Sequence, residues 1–306
     1  MNISVTLTPE LRLGQALKQA GVKDPTTVSR LTVAGTLTTY DFKYIRKKMA
    51  ETLQELDMGD ALVKSGRIGF KAFSNCTGLT SVIIPQSVVR IDNWIFYDCT
   101  GLTTISVHID NPVYASENGV LFNKDKTELI KYPQARQGCF IIPDSVTKTA
   151  DYAFDHCDKL TSVVIPDSVS EIGWTLSGCD IMVHPDNPVY ASENGVLFNK
   201  DKTVLISFPH SWKGDYVIPD SVVEIGVHAF CECNGLRTVV IPNSVTWINH
   251  FTFFRCFNLN IMIPESVTEI GGDAFIDCDC LSITVHPNNP VYESVNGKLK
   301  LNVKKN

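Results

Sequence analysis

Apolar positions along the chain fall into two short phrases held apart by polar spacers of nearly fixed length. Ile-Pro-x-Ser-Val begins six times, at Ile84, Ile142, Ile165, Ile218, Ile241 and Ile263. Three residues past each Val stands Ile91, Thr149, Ile172, Ile225, Ile248 or Ile270, with Thr149 the one polar departure. The second phrase is Phe-x-x-Cys-x-x-Leu. It occurs as Phe73/Cys76/Leu79, Phe96/Cys99/Leu102, Phe154/Cys157/Leu160, Phe230/Cys233/Leu236, Phe253/Cys256/Leu259 and Phe275/Cys278/Leu281, with a worn copy at Leu176 and Cys179. Where complete units adjoin, the step is 22 or 23 residues. A constant step of this size marks a stack in which each coil buries its apolar face only against its neighbours.

Leu79, Val82 and Ile84 form the L-x-x-L-x-I run of a leucine-rich-repeat strand. Strand alternation sends Val82 and Ile84 inward and Ser81 and Ile83 outward. Pro85 ends the strand because it has no N–H for the ladder. The pattern predicts an α/β-type repeat solenoid, a right-handed leucine-rich-repeat superhelix with a parallel sheet on its concave face. The convex side is expected to be short helical or irregular chain. Residues 1–52 are expected to form an N-terminal cap and residues 53–306 the solenoid. Thr8 as N-cap, Pro9 in the first turn and Gly21 as stop predict a helix over 9–20. A strand over 29–35 and a helix over 40–49 complete the predicted cap, and Leu53, Leu56 and Met58 open the first repeat.

Three units are longer, near 108–142, 184–218 and 286–306. Residues 111–127 recur letter for letter at 187–203, and a divergent third copy starts at Asn289. Apolar arms Val120-Leu121-Phe122 and Glu128-Leu129-Ile130-Lys131 flank the polar run Asn123-Lys124-Asp125-Lys126, which predicts a β-hairpin. A hairpin does not fit inside a 23-residue coil, so it must protrude or lengthen the coil. Recent duplication accounts for the identity; retention as paired binding knobs is the alternative.

The phrase IP-x-SV-x-x-I-G-x-x-A-F-x-x-C-x-x-L-x-x-V-x-IP resembles the BspA-like leucine-rich repeats of bacterial surface proteins. The clearest copies run over 165–176, 218–241 and 263–285. The long unit with Gly195-Val196-Leu197-Phe198 and Phe208-Pro209 is similar to that family's hairpin-bearing variant. Leu31 to Leu37, followed by Asp41-Phe42, resembles the opening of secreted members. The resemblance implies a cell-surface or secreted adhesin, in some members a binder of host extracellular-matrix proteins. It supplies no catalytic residue.

Ten cysteines are present, seven at one repeat position: Cys76, Cys99, Cys157, Cys179, Cys233, Cys256 and Cys278. A stacked ladder points every thiol the same way, whereas a disulfide needs facing Cβ vectors. Buried free thiols are therefore expected, ahead of disulfides or metal ligands. Cys139, Cys231 and Cys280 lie off the ladder and are expected to be more exposed. His108, His184 and His286 hold equivalent places after a strand, which suggests a shared job such as bonding a loop carbonyl. No phosphate-binding loop, zinc-protease, nucleophile-elbow or dinucleotide motif is found, and no cofactor or metal is expected. Net charge is −6, from 27 basic and 33 acidic residues, which argues against a nucleic-acid partner. The run Arg46-Lys47-Lys48 sits on a predicted helix near Glu51 and Glu55 and reads as a solvated face. No apolar stretch approaches the ~18 residues of a membrane span. The N-terminus lacks a signal peptide, so the chain is either cytosolic or processed.

Outward strand positions give the candidate binding surface: Ser81, Ile83, Thr104, Ser106, Ser162, Val164, Thr238 and Val240. Their Ser/Thr and β-branched character suits a protein or peptide partner better than a charged small molecule. Tyr114, Tyr190 and Tyr292 on the hairpins form a second candidate surface. The expected function is non-enzymatic ligand binding or adhesion at the cell surface. An intracellular interaction scaffold is the alternative, and an enzyme with a site assembled across coils a remote third.

Overall fold

The computed structural model describes residues 1–301 apart from 174, 175, 177, 258 and 279–281. Leu281 and Cys280, and the end of the third long unit at 302–306, lie outside the described residues. The fold is a leucine-rich-repeat solenoid of short, mostly parallel strands with little helix. Two compact units divide the chain. The first is Met1–Gln137 with Ser145–Lys159 and Glu171–Gly173; the second is Gly138–Asp144, Leu160–Ser170 and Trp174–Asn306.

In the first unit Asn2–Leu7, Arg30–Leu37, Glu55–Asp57, Ser81–Ile84 and Thr104–Val107 lie side by side, all parallel. Leu31, Leu56, Val82 and Ile105 stand in one inward row, each no more than 1% exposed. Between coils Phe73 stacks on Phe96 with centroids 5.6 Å apart. Each such aromatic removes its apolar area from water at about 25 cal/mol per Å2.

The strand Asn2–Leu7 was not foreseen, although Ile3, Val5 and Leu7 alternate with period 2. The first helix is shorter than expected, Leu13–Gln19 rather than 9–20. Thr8 does not cap it: Thr8 Oγ1 accepts from Leu11 N at 3.1 Å and closes a turn before the helix starts. The buried Asp41 carboxylate, reached across 28 positions, accepts from Leu13 N at 2.9 Å. The same carboxylate accepts from Thr38 N at 3.0 Å, at the start of the second helix, Thr39–Lys48. One side chain thus satisfies free N–H groups at both helix starts, where negative charge is favourable. The strand expected over 29–35 runs Arg30–Leu37.

The long unit carries three strands where two were expected. Tyr114–Glu117 and Val120–Asn123 pair antiparallel around the two-residue turn Asn118-Gly119, with φ +48 and +77. That pair of positive φ values is the type I′ geometry for which Asn-Gly is the preferred sequence. Val120–Asn123 also pairs antiparallel with Glu128–Lys131, which in turn runs parallel to Lys148–Thr149. Val120, Leu121 and Phe122 are all within 1% of full burial, so the hairpin lengthens the coil and does not protrude from it.

Asn111 locks this insertion to the coil before it. Its amide Nδ2 donates to Pro85 O at 2.8 Å and Val88 O at 2.9 Å. Its Oδ1 accepts from Val113 N and Tyr114 N at 2.9 and 2.8 Å. The side chain is fully buried and its two donors and two lone pairs are all used. Asn187 and Asn289 repeat the arrangement on Pro166/Val169 and Pro264/Val267.

The second unit holds two parallel outer sheets. Gly138–Ile141, Leu160–Ile165 and Asp180–Val183 form one; Gly214–Val217, Leu236–Val240, Asn260–Ile263 and Ser282–Val285 form the other. Phe230 stacks on Phe253 at 5.1 Å, and Phe253 on Phe275 at 5.3 Å. The third hairpin, Tyr292–Val295 with Lys298–Leu301, differs from the other two. Lys298 and Lys300 stand exposed at the places where Val120 and Phe122 are buried.

Candidate ligand-binding face

Strand pairing fixes which outward side chains are neighbours. In the first unit the outward rows are Arg30, Glu55, Ser81, Thr104 and Thr32, Asp57, Ile83, Ser106. Arg30 and Glu55 form an ion pair at 2.9 Å, so this face is mostly polar. In the second unit Ser162 lies between Cys139 and Asp180, and Val164 between Ile141 and Met182. In its other sheet Thr238 lies between Asp215 and Asn260, and Val240 between Val217 and Met262.

The eight expected surface residues therefore belong to three separate sheets. Each sheet is closed at one edge by a hairpin. Gly119 O accepts from Ile105 N at 2.9 Å and Ser116 Oγ from Val107 N at 3.0 Å. Gly195 O and Ser192 Oγ do the same for Ile181 N and Val183 N. The edge N–H groups that would have continued the ladder are spent on the hairpin.

The three histidines do share one structural job, with a loop N–H as partner in place of the carbonyl offered as an example. Nδ1 of His108, His184 and His286 accepts from the N–H of Asp110, Asp186 and Asn288 at 3.2, 3.3 and 3.2 Å. The shared job is to hold a loop N–H, not to bond a carbonyl. The hairpin tyrosines are tied to backbone: Tyr114 and Tyr292 hydroxyls accept from Ile91 N and Ile270 N at 2.9 Å.

Four residues absent from the sequence reading complete the apolar part of the face. Ile141 is 66% exposed, Val217 64%, Met262 52% and Met182 46%. With Val164 and Val240 they make two rows, Ile141–Val164–Met182 and Val217–Val240–Met262. The signal was legible for three of the four, all but Met182: the residue two before the proline is apolar in all six Ile-Pro phrases, namely Ile83, Ile141, Val164, Val217, Val240 and Met262.

Cysteine chemistry is muted. Among the described residues no disulfide joins the cysteines, and Cys139 is exposed. Ladder thiols donate one coil back, Cys99 Sγ to Phe73 O at 3.0 Å and Cys256 Sγ to Phe230 O at 2.8 Å. Burial pushes Cys76, Cys157 and Cys256 up to about 12, which leaves little thiolate. Among the described residues no group of three or more His, Cys, Asp or Glu is placed to hold a metal ion. None of the described helices is long and apolar enough to cross a membrane.

The pattern described as the BspA type leucine rich repeat region matches in six copies over residues 52–137, 132–182 and 207–296. The chain belongs to the BspA-type leucine-rich-repeat family. A leucine-rich repeat protein from Eubacterium ventriosum is similar, with 22% identity and a TM-score of 0.56, covering 82% of this chain and 66% of its own. At that identity the likeness speaks for the fold alone. A leucine rich cell surface protein from Faecalibacterium prausnitzii matches at 23% identity and a TM-score of 0.44, covering 87% of this chain and 64% of its own. The pneumococcal vaccine antigen PcpA matches at 16% and 0.44, covering 94% and 63%. This BspA-type chain thus spans 63–66% of those proteins' lengths. No curated protein matches it.

Proposed function

We propose that this BspA-type protein is a non-enzymatic binding protein, secreted or held at the cell surface, that takes a protein partner on the outward strand faces of its second unit. Residues 1–52 serve as its cap and 53–306 as the scaffold in this reading. The observation that carries it is the pair of apolar rows, Ile141–Val164–Met182 and Val217–Val240–Met262, exposed at every member but the half-buried Val164. Single exposed apolar residues are ordinary, but neighbouring ones in register mark an interaction surface. Thr238, Asn260 and Ser282 beside the second row supply a polar rim. Location at the surface, and a matrix protein as partner, follow the family.

The test is a binding panel of extracellular-matrix proteins against the full chain and its Val217→Asp/Val240→Asp/Met262→Asp variant. A partner bound by the wild type and lost in the folded variant supports the reading. No partner on the panel, or equal binding by both forms, overturns it. The free thiols favour a second reading, an intracellular scaffold, because disulfides accumulate in oxidising compartments. Fractionation of producing cells separates the two, and a purely cytosolic pool sinks the first.

A further inference from the structure

The first unit contains a cleft remote in character from the strand face, and its contents are not what coil packing requires. It lies where the outer turn of one coil meets the inserted strand Glu128–Lys131 and the turn at Tyr152, and it encloses about 60 Å3. That space accepts only a few water-sized groups. Trp94, Tyr97 and Tyr152 line it with aromatic surface. Trp94 and Tyr97 rings stack at 5.7 Å, and Trp94 meets Tyr152 edge-on at 5.3 Å.

Two donors in this lining are short of acceptors. The Trp94 indole Nε1 is buried with no hydrogen-bond partner. Lys131 is half-buried and lines the cleft. Nζ donates to Tyr152 O at 2.9 Å and Asp155 O at 3.3 Å, while the Asp155 carboxylate acts on it only from beyond ion-pair distance. Burial lowers the ammonium's affinity for its proton. A buried cation with no carboxylate in direct contact is costly.

The duplicated unit shows that the fold does not need this lysine. Residues 111–127 and 187–203 are identical, yet four positions later Lys131 is replaced by Ser207. There a neutral hydroxyl donates to Leu176 O at 3.2 Å. Tyr152 likewise gives way to His228, and Asp155 to Cys231. The left-handed conformation of Trp94, at φ +63, recurs at Lys71, Tyr152, His228 and Phe251. That strain belongs to the coil; the aromatic, cationic lining belongs to the cleft.

We propose that this cleft binds a carboxylated sugar of the uronic- or sialic-acid type. The carboxylate enters and accepts from the Lys131 ammonium and the Trp94 indole N–H. The pyranose ring stays outside, its C–H face against the Trp94, Tyr97 and Tyr152 rings. Exposed Asn93 and Asp151 at the rim face its hydroxyls. Asp151 and Asp155 around the opening repel a dianionic phosphate more strongly than a monoanionic carboxylate, and Asp92 is already held by Arg67. A single carboxylate matches the one buried cation. This site does not depend on the strand-face reading.

The experiment is calorimetric titration of the full chain with glucuronic acid and N-acetylneuraminic acid, with glucose and acetate as controls. The wild type is expected to bind at least one acid and not glucose. Lys131→Ser, which installs the residue of the duplicated unit, is expected to weaken binding by about tenfold or more. Trp94→Phe keeps a ring but removes the N–H, and is expected to weaken binding several-fold with the melting temperature held. If Lys131→Ser fails to fold, Trp94→Phe alone decides. Binding of neither acid, acid binding unchanged in the folded variants, or acetate binding as tightly as the sugars would overturn the proposal.

Discussion

Asn111 donates its side-chain amide to Pro85 O at 2.8 Å, joining a long unit to the proline that ends the preceding strand. A proline stands one or two residues past the end of the six strands that lead into the Ile-Pro phrases. Asn111, Asn187 and Asn289 answer three of those places in the same way. Asn111→Ala would leave Val88 O, Val113 N and Tyr114 N unmet, while Pro85 O would keep its bond from Val88 N at 3.2 Å. The expected loss is roughly 3 kcal/mol or more, since each unsatisfied buried group costs about 1–3 kcal/mol. Urea unfolding of the variant against the wild type measures it.

Phe230 is fully buried and stacked between neighbouring coils, 4.7 Å from Phe208 and 5.1 Å from Phe253 by ring centroids. Phe230→Ala is expected to cost roughly 3–5 kcal/mol. A loss below ~1 kcal/mol in equilibrium denaturation would contradict the packing described.

The cysteine ladder makes stability fall in alkali. Folded Cys76, Cys157 and Cys256 titrate near 12 against 9.0 for an ordinary thiol. Above pH 9 the unfolded chain sheds these protons while the folded chain keeps them, so the slope of stability with pH is negative. The contribution is complete below pH 9 and is lost progressively up to about 12. Melting temperatures recorded with reductant from pH 8 upward test the direction. Cys139, exposed on its strand, is expected to react with a thiol reagent at pH 8 long before the ladder does.

Single changes on the apolar rows separate binding from stability. Met262 is 52% exposed, so Met262→Asp is expected to shift unfolding free energy by no more than ~0.5 kcal/mol. Any partner of that face should be lost at the same time. A large loss of stability would mean that Met262 packs more deeply than described.

Gly119 closes its turn at φ +77 and sits against Thr104, where an added Cβ would come within 3.3 Å of the side chain. Gly119→Val is expected to disturb the edge contact with Ile105 N, seen as faster amide exchange at Ile105. Unchanged exchange would show that the hairpin is not what closes that sheet.

The repeat step, the inward rows and the family were legible in the sequence because each coil uses the same few local rules. Proline ends a strand, alternation sets a face, and a Phe and a Cys fill the space to the next coil. The first strand was legible in its alternation, and the Asn118-Gly119 turn in its dipeptide. Only tertiary structure decided what neighbours across coils do for one another. Asp41 caps a helix 28 positions away, and a hairpin takes the edge N–H groups of Thr104–Val107. Lys131 comes to face Trp94 and Tyr152 across a cleft although nothing in its local pattern separates it from Ser207. Local rules repeat with the coil, whereas the partners of a buried polar group are set by distances in space that no short stretch of chain encodes.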